Sequence, residues 1–252
     1  MDCDLTEAKE YFKDNILPLK SQIDDYNLVY IGGIGVGKST IIKATKEIFD
    51  EFEPQIIHEY LEANPELGQT LLSAFINKEI SPITFQNAIL DIYEKQLKNK
   101  KKSKITIYER IPDDNLTIFS NLSYFQNELT ISSFNDLYLR TIELDKKYYL
   151  PSYLVKNAKF TKIISPGITD LISLVLQIIK DDILNGVKYR IIGLSANLDI
   201  CKLHIHRRNR KDENKYSDTY LNSIIKTYDN LYNILENDYN INLLNIGRFI
   251  NW

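Results

Sequence analysis

The chain has 252 residues, a formal net charge of −3 and 44% hydrophobic residues. Because binding to nucleic acid requires a basic excess that neutralises phosphates, this charge argues against a nucleic-acid partner. The two cysteines, Cys3 and Cys201, are too few for a disulfide framework, and no run of about 18 apolar residues predicts a membrane span. The composition therefore predicts a single cytoplasmic α/β domain over residues 1–252, with no membrane partner.

Strand and helix patterns alternate along the chain, which predicts a parallel sheet with helices on both faces. A polar, helix-prone leader covers residues 1–25, Pro65 fits the start of one helix, and Ser81 with Pro82 fits the start of another. Five apolar runs predict the strands, namely NLVYIG (27–32), QIIHEY (55–60), KITIYE (104–109), YRIIGLSA (189–196) and INLLNI (241–246). The predicted fold class is α/β with a five-stranded parallel sheet.

A glycine-rich loop, GGIGVGKST, lies between the first predicted strand and the apolar helix pattern STIIKATKEIF. It matches G-x-x-x-x-G-K-[ST] at every fixed position, which favours a phosphate-binding loop over an ordinary glycine-rich turn. Backbone N–H groups and the positive helix end hold phosphates in such a loop, Lys38 reaches the outer phosphates, and the Ser39 hydroxyl helps to hold Mg²⁺. The predicted nucleotide-binding residues are Gly32, Gly33, Ile34, Gly35, Val36, Gly37, Lys38, Ser39 and Thr40.

Charged residues stand at the ends of two other predicted strands. Glu59 closes the second strand, and Glu109 with Arg110 closes the third. Open parallel sheets bind ligands at the carboxyl ends of their strands, where one carboxylate could accept a proton from an attacking hydroxyl and another could help hold a metal. An arginine there would offset charge on a transferred phosphoryl group. Each residue taken singly also fits a helix cap or a surface charge.

These segments resemble the deoxynucleoside kinase family, which includes deoxycytidine and deoxyguanosine kinases and, more distantly, herpesviral thymidine kinases. The resemblance runs from about Asn27 to Ile246 and rests on GGIGVGKST, the acidic residue after the second strand, ITFQNAILDIY, YERIPDDNLTIFSNL and the arginine-rich turn HRRNRKDE before a Tyr-rich helix. It implies a P-loop kinase fold with an arginine-rich lid. It also implies ATP and Mg²⁺ as cofactors, a deoxynucleoside as substrate and a homodimer.

The resemblance further implies roles for individual residues. Glu59 would be the general base for the nucleoside 5′-hydroxyl, while Glu109 and Arg110 would contribute metal and 5′-oxygen contacts. Gln86, beside Phe85, would grip the edge of the base, since an amide can donate and accept in one plane. From the residues alone, the FQ pair equally fits a core Phe beside an exposed Gln.

The charged turn between the last two predicted helices, 197–213 and 217–236, corresponds to the lid of the family. Arg208 and Arg210 stand at its R-x-R positions and would close over the transferred phosphoryl group, and Glu213 stands where a carboxylate contacts the sugar 3′-hydroxyl. The alternative is a solvated basic helix end, which the helix dipole favours.

Several positions depart from the family pattern around the general base and the lid. Because HEYLEAN lacks the usual residues after the catalytic glutamate, Glu62 or Glu53 could be the equivalent of that base. Ile111 replaces a serine or threonine, and His204 occupies the place of a further lid arginine.

Other departures concern the substrate. Phe75 stands about where a sugar-binding tyrosine is expected, and Tyr93 and Asn115 lie about where residues that select the base are found. The family comparison also predicts an insertion within about 125–187. Two other hypotheses therefore stand beside an active deoxynucleoside kinase, namely a repurposed kinase fold with a binding or structural role, and a nucleoside monophosphate kinase.

Overall fold

The computed structural model describes residues 5–154, 159–164, 168–210 and 212–237. Within these residues, five parallel strands form one sheet in the order β2-β3-β1-β5-β4. The strands are β1 (Tyr26–Gly32), β2 (Gln55–Ile57), β3 (Ile105–Glu109), β4 (Lys159–Ile164) and β5 (Tyr189–Ser195). The predicted fold class, α/β with a five-stranded parallel sheet, is confirmed.

The fifth strand comes from a part of the chain where the sequence did not predict one. Strand β4 pairs with β5 at the edge of the sheet, and the predicted strand 241–246 lies outside the described residues. The sequence KFTKII mixes lysines with apolar residues because this edge strand is only partly covered, and Ile164 is 73% exposed. A partly covered edge strand carries a weaker apolar signal than a buried central one.

The helices α1 to α11 follow one another along the chain, interrupted by strands and by short 3₁₀ and π turns. Their bounds are α1 Thr6–Asn15, α2 Lys38–Ile48, α3 Tyr60–Ala63, α4 Pro65–Ile76, α5 Pro82–Lys98, α6 Pro112–Asp114, α7 Asn121–Phe125, α8 Ile131–Tyr148, α9 Ile168–Leu184, α10 Leu198–Arg208 and α11 Asp218–Glu236. The predicted starts are confirmed, with Pro65 at the first position of α4 and the Ser81 hydroxyl accepting a bond from the Thr84 N–H before α5.

Helices cover both faces of the sheet, as predicted. Every residue of β1 is buried, and successive side chains point to opposite faces. Leu28 and Tyr30 join one hydrophobic cluster, which includes residues of α1, α2 and α9. Val29 and Ile31 join the other, which includes residues of α5 and α11. A sheet buried on both faces explains the continuous apolar run of the β1 sequence.

The first helix belongs to this core. On α1, Phe12 packs edge-on against Phe49 and Phe52, with ring centroids 4.9 and 5.5 Å apart. The residues expected to carry an insertion, 125–187, contribute α8, β4 and α9, and α8 packs on α5. No helix in the described ranges combines the length and apolar character required to cross a membrane.

Candidate active site

The glycine-rich loop turns sharply between β1 and α2 and packs closely against its neighbours. Gly35 and Gly37 have φ of +81° and +100°, in the left-handed region that favours glycine. A Cβ on Gly35 would lie 2.5 Å from the Cys201 carbonyl oxygen of α10, and one on Gly32 would lie 2.6 Å from the Leu194 carbonyl oxygen of β5. Glycine is therefore required at these positions both for conformation and for space.

Lys38, the first residue of α2, is buried under this loop. Its Nζ donates to the carbonyl oxygens of Gly33 at 3.0 Å and Gly32 at 3.2 Å. Burial, and next the nearby charge of Arg110, lower the pKa of Lys38 to about 7. An anionic phosphate beside Nζ would favour the charged ammonium again, so this lysine is suited to bind an anion.

Ser39 and Glu109 meet at the carboxyl end of β3. The Ser39 hydroxyl donates to Glu109 Oε1 at 2.7 Å, and Glu109 is buried. His58 Nδ1 lies 3.8 Å from the other carboxylate oxygen. A hydroxyl and a carboxylate are hard oxygen donors of the kind Mg²⁺ prefers, and Mg²⁺ usually keeps waters and substrate phosphates as its remaining ligands. The pair therefore fits the predicted metal site, although the described residues contain no group of three or more potential metal ligands.

Arg110 links the loop to the predicted base, Glu59. Its NH1 group forms an ion pair with Glu59 Oε2, and its NH2 group donates to the Gly32 carbonyl oxygen at 3.0 Å. Arg110 has φ of +62°, a left-handed conformation that is uncommon outside glycine, and its backbone N–H donates to the Tyr30 carbonyl oxygen at 2.9 Å. The end of β3 therefore turns the guanidinium into the site instead of letting the strand continue.

The arginine-rich turn after α10 folds back over the same end of the sheet. Arg208 makes a bidentate pair with the buried Glu213, with distances of 2.6 and 2.8 Å. Arg210 NH1 lies 3.6 Å from Glu213 and 3.9 Å from Glu59, and its NH2 group bonds to Glu62. Both predicted lid arginines thus reach the cluster around Glu59.

These charges decide the ionisation of Glu59. Burial alone would raise its pKa, but the nearby cations, Arg110 first and then Lys38 and the lid arginines, outweigh burial and lower the pKa to about 2. Of the two alternative bases, Glu62 lines the same cavity from α3, whereas Glu53 is exposed and is not among the lining residues. The structure therefore favours Glu59 or Glu62 over Glu53 on position.

A cavity of about 940 Å³ opens beside this charged cluster. Aromatic side chains form one wall, where Phe75 of α4 and Phe85 of α5 stack with centroids 4.4 Å apart and ring planes 7° apart. Tyr60 packs edge-on against Phe85 at 5.6 Å. On α5, Phe85, Ile89 and Tyr93 recur at intervals of four residues, so they present one face of the helix to the cavity.

The residues predicted to contact the base lie around this wall, at different depths. Tyr93 and Asn115 line the cavity, whereas Gln86 is not among the lining residues. Gln86 is 2% exposed, its backbone carbonyl accepts a bond from the Asn115 side chain at 3.2 Å, and its Oε1 has no partner among the described residues. The exposed-Gln alternative is therefore wrong, since this amide is buried next to Asn115.

Sequence reasoning missed several residues that line the cavity. Tyr216 and Tyr220 stack at 5.3 Å near the start of α11, and their spacing of four residues was the available signal. Asp114, in the PDD stretch after the Glu-Arg pair, is 1% exposed and also lines the cavity. His204, which the sequence comparison placed at the position of a further lid arginine, has its Nδ1 2.7 Å from the carbonyl oxygen of Gly35 in the loop.

One cavity at the carboxyl end of the parallel sheet is surrounded by a P-loop, a buried carboxylate and an arginine-rich lid. This combination defines the class of P-loop kinases. Within that class, residues 28–151 match the sequence model of the deoxynucleoside kinase family. This match spans just under half of the chain, and it confirms the resemblance seen in its sequence.

Solved structures agree on the fold. One similar structure is deoxyadenosine kinase from M. mycoides with bound dATP, at 19% identity and a TM-score of 0.52, covering 89% of this chain and 96% of that chain. The same enzyme with the products dCMP and a flexible dCDP gives 18% identity and a TM-score of 0.53 over the same shares of the two chains. Among curated proteins, no significant match was found.

Proposed function

We propose that this protein transfers the γ-phosphate of ATP to the 5′-hydroxyl of a deoxynucleoside. The observation that carries the proposal is the position of Arg110, which binds both the Glu59 carboxylate and the Gly32 carbonyl of the phosphate loop. The predicted base and the predicted phosphate site therefore share one end of the cavity. The match of residues 28–151 to the deoxynucleoside kinase family model supports both the reaction and the substrate class.

The loop and Lys38 supply the phosphate site in this mechanism. Backbone N–H groups around Gly35 and Gly37 and the N-terminus of α2 favour negative charge there. Lys38 lies with its ammonium at the loop carbonyls, so it can contact the outer phosphates with a short movement of Nζ. Ser39 and Glu109 would hold Mg²⁺, which when bound neutralises phosphate charge during transfer.

Glu59 orients the attacking group. A 5′-hydroxyl that donates to the Glu59 carboxylate would be aligned toward the phosphate loop, and Glu59 would accept its proton as the new P–O bond forms. Arg110 remains on the other side of the carboxylate and offsets its charge, while Arg208 and Arg210 can stabilise the transferred phosphoryl group. Glu213 holds both lid arginines in reach.

The aromatic wall suits a nucleoside. The stacked pair Phe75 and Phe85 gives the base and sugar an apolar surface, and Tyr93 adds a hydroxyl that donates to the Glu109 carbonyl at 3.1 Å. Asn115, which lines the cavity, and Gln86, which is buried next to it and whose Oε1 has no partner among the described residues, would read the edge of the base. Since Phe75 has no hydroxyl, the sugar 3′-hydroxyl would depend mainly on Glu213 for a polar contact. The homodimer implied by the family stays a prediction.

The test is turnover with Mg²⁺ and ATP on thymidine, deoxycytidine, deoxyadenosine and deoxyguanosine, with dTMP as an added acceptor and the Lys38→Ala protein as control. We expect transfer to at least one deoxynucleoside and a loss of at least about 100-fold in Lys38→Ala. Transfer to dTMP alone would indicate a nucleoside monophosphate kinase. ATP binding without transfer to any acceptor would indicate a repurposed kinase fold.

A further inference from the structure

All three guanidinium nitrogens of Arg110 have a partner. NH1 pairs with Glu59 and NH2 donates to the Gly32 carbonyl, while Nε donates to the Tyr228 hydroxyl at 3.2 Å. The ring of Phe119 lies 5.2 Å from the guanidinium carbon. The left-handed backbone at Arg110 turns the side chain into the site, and these contacts fix the position of the guanidinium there.

Of these three partners, Tyr228 alone lies outside both the glycine-rich loop and the residues that line the cavity. It lies on α11 and is 2% exposed. Since its oxygen accepts the Nε–H of Arg110, the hydroxyl proton is directed to a different acceptor. A buried hydroxyl whose proton has no acceptor would destabilise the folded protein. The position of the acceptor therefore sets the orientation of the Tyr228 hydroxyl.

The carboxyl group of Asp114 lies beside that hydroxyl. Asp114 is fully buried at the cavity wall, its Oδ2 accepts the Ile111 N–H at 3.1 Å, and its side chain interacts with the Tyr228 hydroxyl. Its Oδ1 has no hydrogen-bond partner in the described part of the chain, which leaves acceptor capacity beside that hydroxyl. Burial raises the pKa of Asp114 to about 7, and the charge of Arg110 opposes that rise.

We propose that Tyr228 and Asp114 are positioning residues for phosphoryl transfer. Asp114 accepts the hydroxyl proton of Tyr228, which turns the oxygen of Tyr228 toward Arg110 Nε and thereby orients the guanidinium between Glu59 and the phosphate loop. Neither residue contacts the reacting atoms in this arrangement. The role rests on the proposed kinase function, because its consequence is a better aligned Glu59 carboxylate.

The chain offers a matched control for removing the Tyr228 hydroxyl. Tyr26 is also a buried tyrosine, 3% exposed, and its hydroxyl donates to a carboxylate, Asp182, at 2.8 Å. Tyr26 is at the opposite end of β1 from the phosphate loop. The variants Tyr228→Phe and Tyr26→Phe therefore make the same chemical change to a tyrosine–aspartate contact at different distances from the site.

Steady-state kinetics should separate the two variants. We expect Tyr228→Phe to lower kcat on the order of 10-fold with the KM for ATP changed less than about 3-fold, and Tyr26→Phe to leave both within about 2-fold. Asp114→Asn should also lower kcat. Adding Asp114→Asn to Tyr228→Phe should lower kcat little further, because both changes interrupt the same chain of contacts. Unchanged kcat in Tyr228→Phe, or full additivity of the two changes, would overturn the proposal.

A second measurement reads the geometry without activity. Exchange of the Arg110 Nε–H with solvent, followed by ¹⁵N nuclear magnetic resonance, should be slow in the natural protein and in Tyr26→Phe, and at least about 10-fold faster in Tyr228→Phe and Asp114→Asn. Equal exchange in all four proteins would reject the role of Tyr228. If the natural protein transfers no phosphate, the proposed function fails, and this exchange still decides whether Tyr228 and Asp114 orient Arg110. Asp114→Asn serves as the test should Tyr228→Phe not fold.

Discussion

Two regions of this protein bury carboxyl groups and shift their pKa values in opposite directions. At the phosphate end of the cavity, Glu59 lies among Arg110, Lys38 and the lid arginines, and its pKa falls to about 2. In the flank between α6 and α8, Asp113 and Asp145 are buried against each other, and both pKa values are raised, chiefly by desolvation. Burial is similar in the two regions, so the neighbouring charges decide the direction.

The flank shows that hydrogen bonds alone do not keep a buried carboxyl ionised. Asp113 Oδ2 accepts bonds from the Ser152 hydroxyl at 2.8 Å and from the N–H groups of Tyr153 at 2.7 Å and Leu154 at 3.1 Å. These bonds favour the charged form, yet burial and the adjacent Asp145 prevail. Cations thus lower the pKa of Glu59, whereas burial and the adjacent Asp145 raise the pKa of Asp113, whose Oδ2 ties the chain after α8 to α6.

The largest effect is expected from a substitution in the charged region around Glu59. Glu59→Gln removes the proton acceptor but keeps its shape, so we expect turnover to fall at least about 100-fold. Glu62→Gln is the matched control, because Glu62 lines the same cavity and also bonds to Arg210. It should cost less than about 10-fold. Turnover that survives Glu59→Gln and collapses in Glu62→Gln would assign the base to Glu62.

An intermediate effect is expected from the amide of Gln86, which is buried next to Asn115. Gln86→Leu removes an amide proposed to read the base, so kcat/KM for the preferred deoxynucleoside should fall about 10- to 100-fold. Leucine fills similar volume, so thermal unfolding of the two proteins controls for a packing defect. If kcat/KM for each of the four deoxynucleosides is the same in the natural protein and in Gln86→Leu, then Gln86 has no part in base recognition.

The smallest expected effect concerns stability in the flank. Because the folded pKa values of Asp113 and Asp145 lie above the unfolded value near 4, the folded state binds more protons, and stability falls as pH rises from about 4 through the raised pKa values. Asp145→Asn removes one of the two charges. We expect the decrease in the free energy of unfolding between pH 5 and pH 7.5 to be about 1–2 kcal/mol smaller in this variant.

Urea unfolding at the two pH values measures this difference, and Asp136→Asn serves as the control, since Asp136 is exposed on the same helix, α8. Asp136→Asn should reproduce the pH dependence of the natural protein. If the free energy of unfolding changes by the same amount between pH 5 and pH 7.5 in the natural protein and in Asp145→Asn, the prediction for this pair of carboxyl groups is wrong.

The sequence predicted the parts of the fold that depend on local rules. The loop motif, the starts of α4 and α5 and the strands β1, β3 and β5 follow from turn residues, helix caps and apolar runs, and the structure has them at those places. The predicted strand 55–60 is shorter in the structure, because β2 ends at Ile57 and Tyr60 already begins α3. Strand β4 was missed because a partly covered edge strand alternates lysine with apolar residues and resembles a surface segment. The predicted strand 241–246 lies outside the described residues.

For the site, sequence alone determined which residue types stand at the ends of β1, β2 and β3, since a strand's end is a local property and parallel strands bring their carboxyl ends together. Only the tertiary structure decided what those residues contact. Tyr228 lies 118 positions after Arg110 yet receives its Nε–H, and Glu62 lies 148 positions before Arg210 yet pairs with it. Such contacts form because packing of α3, α11 and the lid against the sheet encloses these charges, and no local pattern in the chain encodes that enclosure.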